Sequence, residues 1–331
     1  MSELQIALIA IGALAIAAVL AYNHLQERRA RDAARRAFGP GHADVLLESA
    51  PAQERSTSVP SAPTPREEPL PVMPILDERL DYVIEIRPGA PLPAPSLQAH
   101  WRTIQRRHAA RATLSGPDER GCWRAGLQLA SRSGSVSEAE LIEFRADVES
   151  MGAAFGASVR AGETRAALER ARQLDALCAE TDLQVVLHVM PAPGGAFAGP
   201  AIAQAAQAAG LTLERDGRFV QRSAEGTVAL ALAPREGSRF DSVSLGETVR
   251  GALSLELDVP HAADPRRAFE TMARLAGHLA AACGGTVVDD NNRPLGEPAL
   301  ATIAGALDAV RARLEAEGIG PGSTLAARLF S

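Results

Sequence analysis

Asp289-Asp290-Asn291-Asn292 is the stretch whose residue types come nearest to chemistry. Two carboxylates and two amides offer oxygens to a hard cation, but the spacing is not that of a calcium loop. Acidic and amide side chains after an apolar run such as Thr286–Val288 ordinarily shape a turn, and a turn is the expectation here. The histidines, His24, His42, His100, His108, His188, His261 and His278, show no metal-ligand spacing. His188 has no Ser or Cys nucleophile nearby and reads as a sheet-face residue. Cys122, Cys178 and Cys283 are odd in number, far apart and without a CxxC spacing. The last two fall on apolar helix faces and read as buried free thiols of a reducing compartment. Gly284-Gly285 lacks the Lys and Ser/Thr of a phosphate loop and reads as a helix stop. The expectation is a protein without catalytic residues, metal or cofactor, and an enzyme using Asp289 and Asp290 is the weakest of the alternatives.

These residues must be carried by a mixed α/β architecture. Tyr82–Arg87 is a β-branched run ended by Pro88-Gly89. Ser96 is placed to cap a helix with Leu97, Trp101 and Ile104 on one face. Trp123–Leu129 reads as a strand, and Ser137-Glu-Ala-Glu140 as a capping box opening a helix through Leu141, Val148 and Met151. Phe155–Val159 reads as a returning strand and 163–179 as a helix. The pattern then restarts. Leu183–Met190 is a strand, Pro200 opens an alanine-rich helix, and Leu211–Leu213, Phe219–Arg222 and Thr227–Ala233 are further strands. Ala252–Asp258 alternates apolar and polar with period two, as a strand buried on one face does. Asp264-Pro265 opens an amphipathic helix through Leu279, Thr286–Val288 is a strand, and a last helix spans Leu300–Leu314 before Gly318, Gly320 and Pro321. Ala125–Leu129 followed by a helix and Phe155–Val159 echoes Gly251–Leu255 followed by a helix and Gly284–Val288. The echo suggests two related units, the first reduced, although strand-helix-strand also recurs by chance.

The N-terminus differs in kind. Residues 4–22 are nearly all apolar, with no charge between Glu3 and Glu27. At the α-helical rise they span about 28 Å, enough to cross a bilayer core. Arg28, Arg29, Arg31, Arg35 and Arg36 follow, so the positive-inside rule keeps the bulk of the chain in the cytoplasm and the N-terminus outside. A cleaved signal peptide would need its basic cluster on the other side. The expected organisation is a short external end (1–3), a transmembrane helix (4–22), a basic juxtamembrane segment (23–36) and a Pro-rich linker (37–78). A reduced α/β unit (79–180), read as a degenerate repeat, a second α/β domain (181–318) and a tail (319–331) complete it. The net charge of −6 argues against a general nucleic-acid binder; the local arginines suit anionic headgroups instead. Every one of the 34 fixed cations is arginine.

The order of anchor, arginines, Pro-rich linker and C-terminal α/β domain resembles the ZipA cell-division family. So do the Gly-Gly-x-Val-x-Asp-Asp tract at Gly284–Asp290, the Gly-x-x-Phe-Asp step at Gly237–Asp241 and the strand ending Asp258-Val259-Pro260. The resemblance is good over 181–316, architectural over 1–76 and weak over 80–160. It implies an inner-membrane tether for the tubulin-like protein FtsZ at the division septum. It further implies an antiparallel sheet packed on helices by one face, with the other face binding the FtsZ C-terminal peptide. The matching groove positions are Gln184, Val186, Gly217, Ala231, Ala233, Arg235, Ser254 and Glu256. Leu253, Leu255 and Leu257, with Val228, Leu230 and Leu232, are expected to face the helices; Ala229, Ala231 and Ala233 are expected to face outward. This surface is smaller and more polar than the resemblance leads one to expect, and it lacks the aromatic and Met anchors usual at such sites. A scaffold for another division or envelope protein is therefore the alternative.

Overall fold

The computed structural model describes residues 76–90, 94–108, 111–236, 239–241 and 243–331. The apolar segment 4–22, its arginine flank, the Pro-rich stretch up to residue 75 and Gly237 lie outside them. Among the described residues no helix is long and apolar enough to cross a membrane.

Period-two alternation builds the first sheet. β1 (Asp81–Pro88) buries Tyr82, Ile84 and Ile86 and turns Val83, Glu85 and Arg87 the other way. α1 (Ala94–Arg107) follows, then β2 (Ala112–Ser115), β3 (Trp123–Gln128) and a small hairpin of β4 (Ala130–Ser131) and β5 (Gly134–Ser135). α2 (Glu138–Ala154), β6 (Ala157–Ala161) and α3 (Thr164–Thr181) complete the unit. The sheet order is β2-β3-β1-β6, antiparallel at every pairing. The Ser137 capping box forms as expected: Ser137 Oγ accepts from Glu140 N at 3.2 Å, and Glu140 Oε2 accepts from Ser137 N at 2.8 Å. Two boundaries differ from expectation. α1 begins at Ala94, because Pro95 suits the first helical turn, so Ser96 lies inside the helix and does not cap it. The strand expected from Phe155 starts at Ala157, because Gly156 with φ 59° ends the preceding helix in the left-handed region.

The second sheet starts at β7 (Gln184–Met190). β8 (Phe197–Ala198), α4 (Gly199–Ala208), β9 (Thr212–Leu213), β10 (Phe219–Arg222), β11 (Val228–Pro234), β12 (Thr248–Val249) and β13 (Leu253–Asp258) follow in turn. A 3-10 turn (Val259–His261) leads into α5 (Pro265–Ala282), capped by Asp264 Oδ1, which accepts from Arg267 N at 3.0 Å. β14 (Thr286–Val288), α6 (Glu297–Ala316) and α7 (Thr324–Leu329) end the chain. Six strands order as β14-β7-β13-β11-β10-β9, again all antiparallel. Leu253, Leu255 and Leu257 are fully buried against Phe269, Met272, Leu275 and Leu279 of α5. Each such side chain contributes about 1.5–3 kcal/mol of burial.

The two sheets share a plan. β2-β3-β1-β6 and β11-β13-β7-β14 have the same order, and each has one helix after its first strand and one between its third and fourth equivalents. The last residues of the chain return to the first of them. Leu314, Ile319, Ala326, Leu329 and Phe330 are all buried within the hydrophobic cluster of the first sheet, not the second. The stretch read from sequence as a tail thus holds a helix, α7, whose cap is Ser323 Oγ accepting from Ala326 N. Ion pairs follow the same route: Arg328 Nη2 meets the buried Asp81 Oδ1 at 2.5 Å, and Arg170 Nη1 meets Glu317 Oε2 at 2.8 Å. Arg132, from the β4–β5 hairpin, reaches Asp182 at 2.7 Å and Asp258 at 2.9 Å, with its guanidinium 5.9 Å from the Phe330 ring centroid.

Candidate functional site

Helices α4, α5 and α6 cover one face of the second sheet, through Ile202, Ala206, Phe269, Met272, Leu275, Ala304 and Leu307. Residues of opposite parity form the other face. The ladder pairs Val186 with Glu256 and Glu256 with Ala231, which is opposite Val220. One step along, His188, Ser254 and Ala233 lie side by side. Five of the eight expected groove residues, Val186, Ala231, Ala233, Ser254 and Glu256, therefore occupy two adjacent rows, about 4.8 Å apart from strand to strand. Ser254 and Ala231 are recessed, while Val186, Ala233 and Glu256 are partly exposed. Among the described residues Glu256 has no ion pair or hydrogen bond from its side chain, so its carboxylate stands free between two apolar neighbours.

The remaining three lie at the margins. Gln184 is exposed at the start of β7, opposite Asp258. Gly217 lies in the β9–β10 turn with φ 79°, and its carbonyl accepts from Phe240 N at 2.9 Å. A Cβ at Gly217 would come within 2.6 Å of Arg239 Cβ, so this glycine shapes the rim through its backbone. Arg235 lies just past β11; its Nη1 donates to Asn292 Oδ1 at 2.6 Å and its Nη2 to the Asp290 carbonyl at 3.5 Å. It thus braces the 289–293 turn at the edge of the face.

That turn answers the question posed by its acidic residues. Asp289 Oδ1 accepts from Asn291 N at 2.9 Å and Arg293 N at 2.8 Å, and Asn292 takes φ 59°. Asp290 Oδ1 stands 2.9 Å from His188 Nε2, and the other ring nitrogen of His188 is buried without a partner. Among the described residues no three His, Cys, Asp or Glu side chains gather as a metal site. Burial pushes the Cys178 thiol up to about 11, and Cys283 upward as well.

Three features of this face were not apparent in the sequence. Val220 belongs to it yet is buried, because Arg222 and Glu214, two residues to either side of the Thr212–Val220 pair, join in a bidentate ion pair of 2.6 and 2.7 Å across it. Ala229, expected outward, joins the helix-side core, because the ladder slips between Gln221 and Arg222 and places a bulge at this point. His188 lies on the outward face but is buried beneath the Asp290 turn. The first two depend on strand register, which no local pattern encodes.

Residues 184–305 match the family model of the ZipA C-terminal FtsZ-binding domain. The match begins with β7 and ends within α6, and so covers the whole second sheet. The resemblance read from the sequence is borne out over this segment. No curated protein matches the chain.

Proposed function

We propose that this chain, which carries the ZipA-family domain over residues 184–305, is a cell-division adaptor whose open sheet face takes the C-terminal peptide of FtsZ. One observation carries the reading: the segment matched by that family folds as a sheet with helices on one face and, on the other, two rows of side chains in which Val186, Ala233 and Glu256 are partly exposed. Val186, Ala231 and Ala233 supply the apolar floor, and Ser254 supplies a hydroxyl. Glu256 favours a basic residue in the ligand, since among the described residues its carboxylate has no cation partner. Gln184, Gly217 and Arg235 form the rim.

The segment 4–22, followed by its five arginines, serves as the membrane anchor, with the folded part in the cytoplasm at the division site. Confinement at a membrane raises the effective concentration of anchors facing a filament that displays many tails, so modest individual affinity is enough. No step requires catalysis, a cofactor or nucleic acid. The polarity of the face supports a second reading, in which the same architecture holds a different division or envelope protein. Affinity purification from cells, with the complete chain as bait, separates the two: FtsZ enriched supports the first, and FtsZ absent beside another enriched protein supports the second.

A further inference from the structure

We infer that the first sheet carries a docking face of its own, and that the chain's own segment at Leu76 closes it in cis. This goes beyond the proposed function and concerns a surface outside the family match. β3 and β13 are equivalent six-residue strands, and the fourth residue of each, Gly126 and Glu256, lies on the helix-free face. Gly126 pairs with Val83 and Thr113, as Glu256 pairs with Val186 and Ala231. The row Val83–Gly126–Thr113 is therefore the counterpart of the centre of the proposed peptide site. It is occupied. A Cβ on Gly126 would fall 2.3 Å from Leu76 Cδ2, so the glycine leaves a pit that the Leu76 side chain fills. Leu76 is only 6% exposed yet is no part of the hydrophobic cluster on the helix side of this sheet.

The segment is fastened as well as seated. Asp77 N donates to Asp81 Oδ2 at 2.8 Å, Asp77 is paired with Arg79, and Asp81 is held by Arg328 of the last helix. An apolar side chain seated in a glycine pit is thus the ligand chemistry of this face, and Leu76 supplies it from within the chain, while Asp77 ties the segment to its own neighbours Arg79 and Asp81.

The test uses the complete chain and a fluorescein-labelled synthetic peptide of residues 70–80. The wild-type chain is expected to bind the peptide at least tenfold more weakly than Leu76→Ser, whose face is vacated. Adding Gly126→Val to Leu76→Ser fills the pit and should abolish the gain. Equal binding to wild type and Leu76→Ser, or no binding to a Leu76→Ser chain of wild-type circular dichroism and melting, overturns the inference. Should Leu76→Ser fail to fold, Gly126→Val alone serves. It should expel Leu76 and speed amide exchange over Asp77–Leu80 at least tenfold, and unchanged exchange there would overturn the inference.

Discussion

Ala231 and Glu256 face each other across adjacent strands, so a carboxylate at position 231 sets two like charges opposite one another in the floor of the face. Ala231→Asp is expected to weaken FtsZ-tail binding at least tenfold while leaving the circular dichroism spectrum unchanged; fluorescence anisotropy reads the first and spectroscopy the second. Cys178 offers a check on the interior. With its thiol raised to about 11 by burial, it should resist alkylation at pH 8 in the folded chain and react on denaturation, as peptide mass mapping will show. At this scale the sequence was a good guide to direction and a poor one to depth. Period-two alternation correctly turned Val186, Ala233 and Glu256 outward. It could not reveal that His188 is buried under the 289–293 turn, or that Glu214 and Arg222 close over Val220, because those contacts join residues brought together only by loop closure and register.

Among the elements, caps and periodicity were the most legible features. Ser137 and Glu140 were placed by residue type alone, and the reciprocal bonds are present. Ser137→Ala should therefore lower stability by about 1 kcal/mol, visible as a shift of the urea midpoint at constant slope. The last helix escaped the sequence reading for a definite reason. Gly318, Gly320 and Pro321 read as the end of structure, and the six residues of Thr324–Leu329 are too few for a 3.6-residue period to show. The bulge that turns Ala229 inward escaped because alternation assumes an uninterrupted ladder.

At the scale of the whole molecule, the first and last described segments meet, through Asp81 with Arg328 and through Ile319, Ala326, Leu329 and Phe330 in the first sheet's core. Phe330→Ala should cost about 3–5 kcal/mol by leaving a cavity among buried side chains, measured by denaturant unfolding, and should destabilise the first sheet although it lies at the opposite end of the sequence. Arg132 ties Asp182 and Asp258 to the same region. Burial raises the Asp258 carboxyl, but the facing His261 ring and the Arg132 guanidinium outweigh it, so the group sits below the ordinary carboxylate range. A carboxylate depressed in the fold stabilises above its unfolded pKa, near ~4, and loses that contribution as pH falls through its folded value. Arg132→Gln should thus remove about 1 kcal/mol at neutral pH, since the pair is partly exposed, and the difference from wild type should vanish in strong acid. Thermal melts across pH will show whether it does.

The proposed adaptor role rests on capture of FtsZ by the open face of the second sheet. Its most direct test is fluorescence anisotropy of a labelled C-terminal tail peptide from the same organism's FtsZ, titrated with the complete chain. Saturable binding at micromolar concentration, at least tenfold weaker with Ala231→Asp, is the predicted result. No binding at ~1 mM, less than about 4 kcal/mol of affinity, would contradict it.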